Sequence, residues 1–365
     1  MSKITAINYA DRQFRNAQKL NTQTALLHGA DSVIEYTGSD IDNEFYQRNK
    51  AILDQKRGNG YWLWKPYIIQ KSLEQMKTGE YLIYSDAGSC YINDIEGLIE
   101  SMQSERAEIM LFTLPNQYLE KFWSKRDAFI LMGCDSEEYY DTPQRLAGFL
   151  LMKKSDAVYR FIQEWLEWAQ DFRIITDQEN CMQRENYPGF RENRHDQTVL
   201  SLLSKKHQLT AFRDPSCAVS DNDRDVLERS RYPQIFDLHR MPNVCTVEEI
   251  WKTRMERAES LLKYWSGGET VVLYGAGKNA RRVLTYIQSK GLTVAACAVS
   301  DEQVIREPML SEVKVCHFSE IRYQKDHTVV LSTINFPEVI EALEKSGYVY
   351  RIIDGVILAA LAALV

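Results

Sequence analysis

RGNGYWLWKPYIIQKSLEQMKTGEYLIYSDAGSCYIND, residues 57–94, is the stretch from which the fold is read. Arg57-Gly58-Asn59-Gly60 is a basic, glycine-bearing loop, and Tyr61, Trp62, Trp64 and Lys65 crowd three large aromatics and a cation against Pro66. Proline is tolerated in the first turn of a helix, so the loop is expected to become helix at Pro66. Ile68, Ile69, Leu73 and Met76 recur at helical spacing until Gly79. Tyr81-Leu82-Ile83-Tyr84 then reads as a short buried strand ending at Ser85-Asp86-Ala87-Gly88. In an open α/β sheet, ligands bind beyond the carboxyl ends of strands, which makes Asp86 the first site candidate.

Upstream of this stretch, Ile4 to Tyr9 reads as a strand, Asp11 as a helix cap, Phe14 to His28 as a helix closed by Gly29, and Ser32 to Tyr36 as a second strand. Strand, helix, strand, helix, strand is the order of a parallel nucleotide-binding sheet. Downstream, Glu108 to Leu114 and Leu146 to Met152 are expected strands, and Ser155 caps a helix to Trp168 with an apolar stripe. Asp171 to Asn193 carries few periodic signals and reads as a loop near the site. Arg194-His195-Asp196-Gln197 opens a helix through Lys206, which puts an acid and an imidazole at its first turn.

From Thr270 a new unit begins, after an amphipathic helix expected over Thr246 to Trp265. Its strand Thr270 to Tyr274 runs into Gly275-Ala276-Gly277-Lys278-Asn279-Ala280 and a helix to Lys290, with strands to follow at 292–299, 328–332 and 348–353. A Gly-x-Gly-x-x-Ala turn between a strand and a helix is a dinucleotide-type cradle, so Gly275 and Gly277 are candidates for contacting a cofactor phosphate. Asp301 stands roughly where a ribose-binding acid is expected. Two domains follow, residues 1–245 and a smaller Rossmann-like domain 267–365, joined by a helical linker 246–266.

Composition narrows the function. The chain has 365 residues, 44% of them hydrophobic and 26% charged, enough to bury two cores. A net charge of −7 excludes a general nucleic-acid surface, which would need clustered excess Lys and Arg. Seven scattered cysteines without a CxxC pair suit reduced thiols better than a disulfide framework or a zinc site. The N-terminus lacks a signal-peptide pattern, and no apolar run reaches the ~18 residues of a spanning helix, so a cytoplasmic protein is expected. The final apolar run from Val356 to Val365 is read as a packed helix.

The runs RGNGYWLWKP, YSDAG, AGFLLMKKS, RHDQTVLSLL and DLHR resemble bacterial capsule and lipopolysaccharide glycosyltransferases of GT-A fold, over roughly residues 1 to 245. The resemblance implies an α/β fold, a GT-A-like domain followed by the Rossmann-like one. It implies a nucleotide-diphosphate sugar donor, with a UDP-sugar expected, and a polysaccharide or glycolipid acceptor handled at the inner face of the membrane. It also implies a divalent metal, Mn²⁺ or Mg²⁺, held by a DxD motif, although Gly88 stands where the second aspartate would be. Asp86 and His239 would be its ligands. Arg57, Lys65 and Arg240 are expected to meet the diphosphate, and Trp62 and Trp64 either stack on base or sugar or pack the loop onto the sheet. Asp196 is expected to face the acceptor, where an inverting mechanism needs a carboxylate to take the hydroxyl proton. Two other classes compete: an NAD-linked sugar-nucleotide oxidoreductase or epimerase centred on the Gly275 turn, and a non-catalytic scaffold of the same pathway.

Overall fold

The computed structural model describes residues 2–217, 222–266, 268–353 and 355–364. It is an α/β protein whose chain divides into two compact units, Met1–Cys245 and Thr246–Val365.

The strands of the first unit are β1 (Ile4–Tyr9), β2 (Ser32–Tyr36), β3 (Tyr81–Ser85), β4 (Cys90–Tyr91), β5 (Ile109–Thr113), β6 (Arg145–Lys153), β7 (Ala211–Arg213) and β8 (Phe236–Asp237). Six of them form a sheet in the order β2-β1-β3-β6-β5-β7. β1 runs parallel to β2 and β3, but β6 is antiparallel to both β3 and β5, so the sheet is mixed where the sequence suggests a parallel one. The reason is that β6 is buried almost throughout, and a continuous apolar run carries no mark of its direction. This reversed strand matters for the site. It lays Gly148 against the end of β3, where the Asp86 N–H donates to the Gly148 carbonyl at 2.9 Å.

Alternation along β3 divides the core. Leu82 and Tyr84 face one layer with Ile68, Ile69 and Leu73 and with Phe161, Ile162 and Trp165. Tyr81 and Ile83 face the other, with Leu98, Met102, Phe149 and Phe236. The helices of the first layer are Trp64–Glu74, which starts two residues before Pro66, and Asp156–Ala169, whose cap Ser155 accepts from the Val158 N–H. Helix Asp196–Lys206 packs beside them through Val199, Leu200, Leu202 and Leu203. β4 and β8 pair as a short antiparallel ribbon and bring the residues after Asp237 back to Gly88.

The second unit has β9 (Thr270–Tyr274), β10 (Ala296–Val299), β11 (Met309–Leu310), β12 (Val313–His317), β13 (Thr328–Ser332) and β14 (Val349–Ile352). Their order is β11-β12-β10-β9-β13-β14, parallel except for the edge strand β11. Counted from β9, the five parallel strands lie 3-2-1-4-5, the arrangement of a doubly wound nucleotide-binding sheet. β10 is shorter than the run 292–299 suggests. Helix Val247–Glu259, capped by Thr246, belongs to this unit, where Ala258 joins the core with Leu361 of the last helix, Gly355–Leu364. Among the described residues no helix is long and apolar enough to cross a membrane.

Candidate active site

The glycine loop is a turn of left-handed helix. Gly58, Asn59, Gly60, Tyr61 and Trp62 all have positive φ, at 59°, 51°, 92°, 52° and 60°. Their bonds run four residues back, from Tyr61 N–H to the Arg57 carbonyl at 2.8 Å and from Trp62 N–H to the Gly58 carbonyl at 3.1 Å. Each non-glycine residue held this way costs roughly 1–2 kcal/mol, and such strain persists where packing over-determines it. Here Trp62 lies over Gly58, and a Cβ on Gly60 would stand 2.6 Å from Leu53 Cα. Gly60→Ala is therefore expected to lose more than the ~1–3 kcal/mol of a backbone misfit alone. Gly79→Ala is the reference, since Gly79 has a φ of 91° but open space around it. Equal falls in melting temperature for the two variants would show that the turn is not held by this contact.

Beyond the turn, Lys65 lies in the first turn of helix Trp64–Glu74 with its side chain 4% exposed. Its ammonium is 3.0 Å from Asp196 Oδ2 and 3.4 Å from Asp86 Oδ1, and it donates to the Ala147 carbonyl at 3.1 Å. Burial opposes its charge, but the two carboxylates more than offset that and hold its pKa above the ordinary value. Asp86, at the end of β3, also accepts from the Tyr84 hydroxyl at 2.5 Å. Burial lifts Asp196 to a pKa of about 6, with Lys65 pulling the other way. Asp196 is also fixed through its main chain, whose carbonyl accepts from Trp165 Nε1 at 3.1 Å. His195 just before it takes a strained φ of 53° and ψ of −116°. Its Nδ1–H donates to the Ile175 carbonyl at 2.7 Å, and burial lowers its pKa, so the imidazole is neutral and positions the helix start.

Two cavities meet at Asp86. One, of about 350 Å³, is lined by Tyr9, Phe14, Trp62 and Trp64 and by the Asp86-Ala87-Gly88 turn. Trp64 stacks on Tyr9 with ring centroids 3.8 Å apart, and its indole N–H holds the Gly58 carbonyl. The other, of about 480 Å³, is lined by Lys65, Gly148, Arg194, Asp196 and Gln197. Trp62, Asp86, Leu238 and Arg240 line both.

The expected cations are thus gathered but differently engaged. Lys65 serves the two carboxylates instead of standing free for a diphosphate. Arg57 grips Asp177 at 3.1 Å and Glu192 at 2.7 Å, tying down the loop that crosses the site. Arg240 has a left-handed φ of 55°, with its N–H donating to the Gly88 carbonyl at 2.7 Å. Tyr84 and Arg194 are among the residues of the site that escaped the sequence reading. Tyr84 looks like core, yet it sits two positions before Asp86 on the same side of the strand, and that spacing was the available signal. Arg194 reads as part of a helix start, and no sequence signal points its side chain into the cleft.

The residues do not fit the divalent metal that the sequence resemblance implies. Among the described residues no group of three or more His, Cys, Asp or Glu gathers as ligands. Asp86 has an ammonium beside it, where a second cation would be repelled. Gly88, in place of the second acid, is packed so that a Cβ would lie 3.2 Å from Arg240 Cα. His239 is buried and its Nδ1 accepts from the Met241 N–H at 3.0 Å.

In the second unit Gly275 has a φ of 122°, and a Cβ there would meet Thr333 Oγ1 at 2.4 Å. Gly277 caps helix Lys278–Ser289 and borders a cavity of about 640 Å³ with Lys278, Arg281 and Arg306. Asp301 is not among its lining residues; its carboxylate accepts from the Ser319 N–H at 3.0 Å.

No family model matches the chain, and no curated protein matches it. Among solved structures it is similar to mouse xyloside xylosyltransferase 1, with 12% identity, 57% of this chain and 84% of that one covered, and a TM-score of 0.36. It is also similar to the galactosyltransferase LgtC in complex with donor and acceptor sugar analogs (14% identity, 55% and 70% covered, TM-score 0.31). A third is the bifunctional glycosyltransferase WbbM (9% identity, 70% and 52% covered, TM-score 0.37). Likeness of this degree carries nothing about activity.

Proposed function

We propose that the first unit is a GT-A-like glycosyltransferase that moves a sugar from a nucleotide-diphosphate sugar to a polysaccharide or glycolipid acceptor in surface polysaccharide assembly. The observation that carries this reading is Asp86, a carboxylate at the carboxyl end of β3 where an aromatic cavity and a polar one meet. The aromatic cavity suits a nucleoside, with the partly exposed Trp62 offering a ring face for a base beside the buried Tyr9–Trp64 stack. The polar cavity suits sugars and holds Asp196, whose pKa of about 6 suits a general base near neutrality. In the transfer the acceptor hydroxyl oxygen bonds to the anomeric carbon and its proton passes to Asp196. The bond from that carbon to the diphosphate breaks, and its electron pair leaves with the nucleoside diphosphate. Asp86 orients the reacting sugar, and Lys65 holds both carboxylates in place.

The competing oxidoreductase reading finds less support. The cavity beside the Gly275 turn has no Tyr or His among its described lining residues, and its one acid, Glu307, is paired with Arg281. A screen of UDP-, GDP- and CMP-sugars, with and without Mn²⁺, tests the proposal. Hydrolysis or transfer with one diphosphate sugar is expected, and Asp86→Asn should lower it at least ~100-fold, the usual size of an electrostatic term in a closed site. Inertness towards every nucleotide sugar, together with NAD binding, would move the chemistry to the second unit.

A further inference from the structure

A departing nucleoside diphosphate gains one negative charge at the bond that breaks, on top of those its phosphates already carry, so cations placed against it stabilise the charge that develops during transfer. The 480 Å³ cavity is lined by four cations, Arg57, Lys65, Arg194 and Arg240. Two of them are spent on protein carboxylates, Arg57 on Asp177 and Glu192, and Lys65 on Asp86 and Asp196. The other two have no carboxylate partner among the described residues. Arg194 lies over Trp123, its guanidinium carbon 3.8 Å from the ring centroid, with the Tyr118 ring at 5.7 Å. The ring supports the guanidinium while no ion pair to an acid reaches it among the described residues, an unusual state for a half-buried arginine. Burial also lowers its pKa, with Glu192 pulling the other way and the neighbouring Arg240 adding to the fall. Arg240 is held from below by the Gly88 carbonyl and lines both cavities, at the border between the base side and the sugar side.

We propose that Arg194 and Arg240 together bind the leaving diphosphate, so that transfer runs on two arginines at the position where the sequence resemblance implies a divalent metal. This rests on the glycosyltransferase reading and adds to it the residues that receive the leaving group. Planar guanidinium groups bind phosphate oxygens through paired N–H bonds, and the two forks supply the charge that Lys65 cannot release from its carboxylates. Arg194 lies two residues before Asp196, so one segment would carry both the group that takes the proton and a group that takes the diphosphate.

The test uses the full chain with Arg194→Gln, Arg240→Gln and the double variant. Binding of UDP, GDP and inorganic pyrophosphate is measured by calorimetry, and transfer by turnover in EDTA and in Mn²⁺. Wild-type turnover is expected to survive EDTA. Each single variant should weaken binding of the accepted nucleoside diphosphate about tenfold or more and lower kcat about 100-fold, and the double variant should do worse than either. Melting temperature separates these losses from unfolding, and if Arg194→Gln unfolds, Arg240→Gln carries the test alone. Unchanged nucleoside diphosphate affinity in both single variants overturns the inference. If only the acceptor KM rises, the arginines serve an anionic acceptor instead, and the inference also fails. Activity abolished by EDTA and restored by Mn²⁺ overturns it while leaving the transferase reading intact. A wild-type protein that binds no nucleoside diphosphate and consumes no nucleotide sugar overturns both.

Discussion

Lys65→Met is expected to lower the melting temperature at pH 7 by roughly 10 °C and turnover by about 1,000-fold or more. The methionine keeps the apolar stem but deletes the charge between Asp86 and Asp196, whose side chains are 37% and 5% exposed. Removing one partner of a buried ion pair costs about 3–5 kcal/mol, because the carboxylates left behind must either stay charged without a partner or take up a proton, and each kcal/mol moves a unit of this size by about 2–4 °C. Turnover falls for a linked reason, since Asp196 without its ammonium takes up a proton and cannot act as a base. The sign follows from the direction of that shift. A carboxylate whose folded pKa is raised above its unfolded value destabilises the fold increasingly as pH rises through the folded pKa. The variant's stability deficit should therefore shrink between pH 7 and pH 5. A melting temperature within 2 °C of wild type, or a deficit that does not change with pH, would remove Lys65 from its central place.

Asp196→Asn should reduce transfer by 10²- to 10⁴-fold, the usual contribution of a positioned base, with donor affinity nearly intact. The amide preserves size and the helix start but cannot accept the acceptor's proton. In the wild type the groups facing Asp196 are Lys65, which favours its ionised form, and Asp86, which opposes it; burial opposes it most, and its pKa stands at about 6. A base works only when ionised, so kcat/KM should fall as pH drops through about 6 and level off above it. The residual rate of Asp196→Asn should lack that acid limb. Profiles from pH 5 to 8 for both proteins decide the matter. A flat wild-type profile would exclude Asp196 as the base, and a collapse of donor affinity in the variant would place it on the donor side.

What the sequence discloses and what it hides follow a physical division. β1, β2, β9 and β13 fall on the residues that alternation and turn signals mark, because strand ends are set locally by Gly, Asp and Pro. The cap at Ser155 is local in the same way. The direction of β6 is not local, since it depends on which strands the run meets. The partners of Lys65 are not local either, because Asp86 and Asp196 are distant in sequence and nothing in a Trp-Lys-Pro run announces a buried ammonium. The Gly58-Asn59-Gly60 spacing hints at positive φ, but the continuation of the left hand through Tyr61 and Trp62 is imposed by packing on Leu53 and His195.

The Lys65, Asp86 and Asp196 constellation also has an order in time. A chain made at about 5–20 residues per second releases Asp196 on the order of ten seconds after Lys65. Until then the nascent chain holds the ammonium with only one of its two aspartates. The helix that carries Asp196 follows β6 in the sequence, so the sheet edge is covered before the second carboxylate arrives. The cluster is thus completed late in synthesis, and under the proposed function a ribosome-bound fragment ending before Asp196 is expected to be inert.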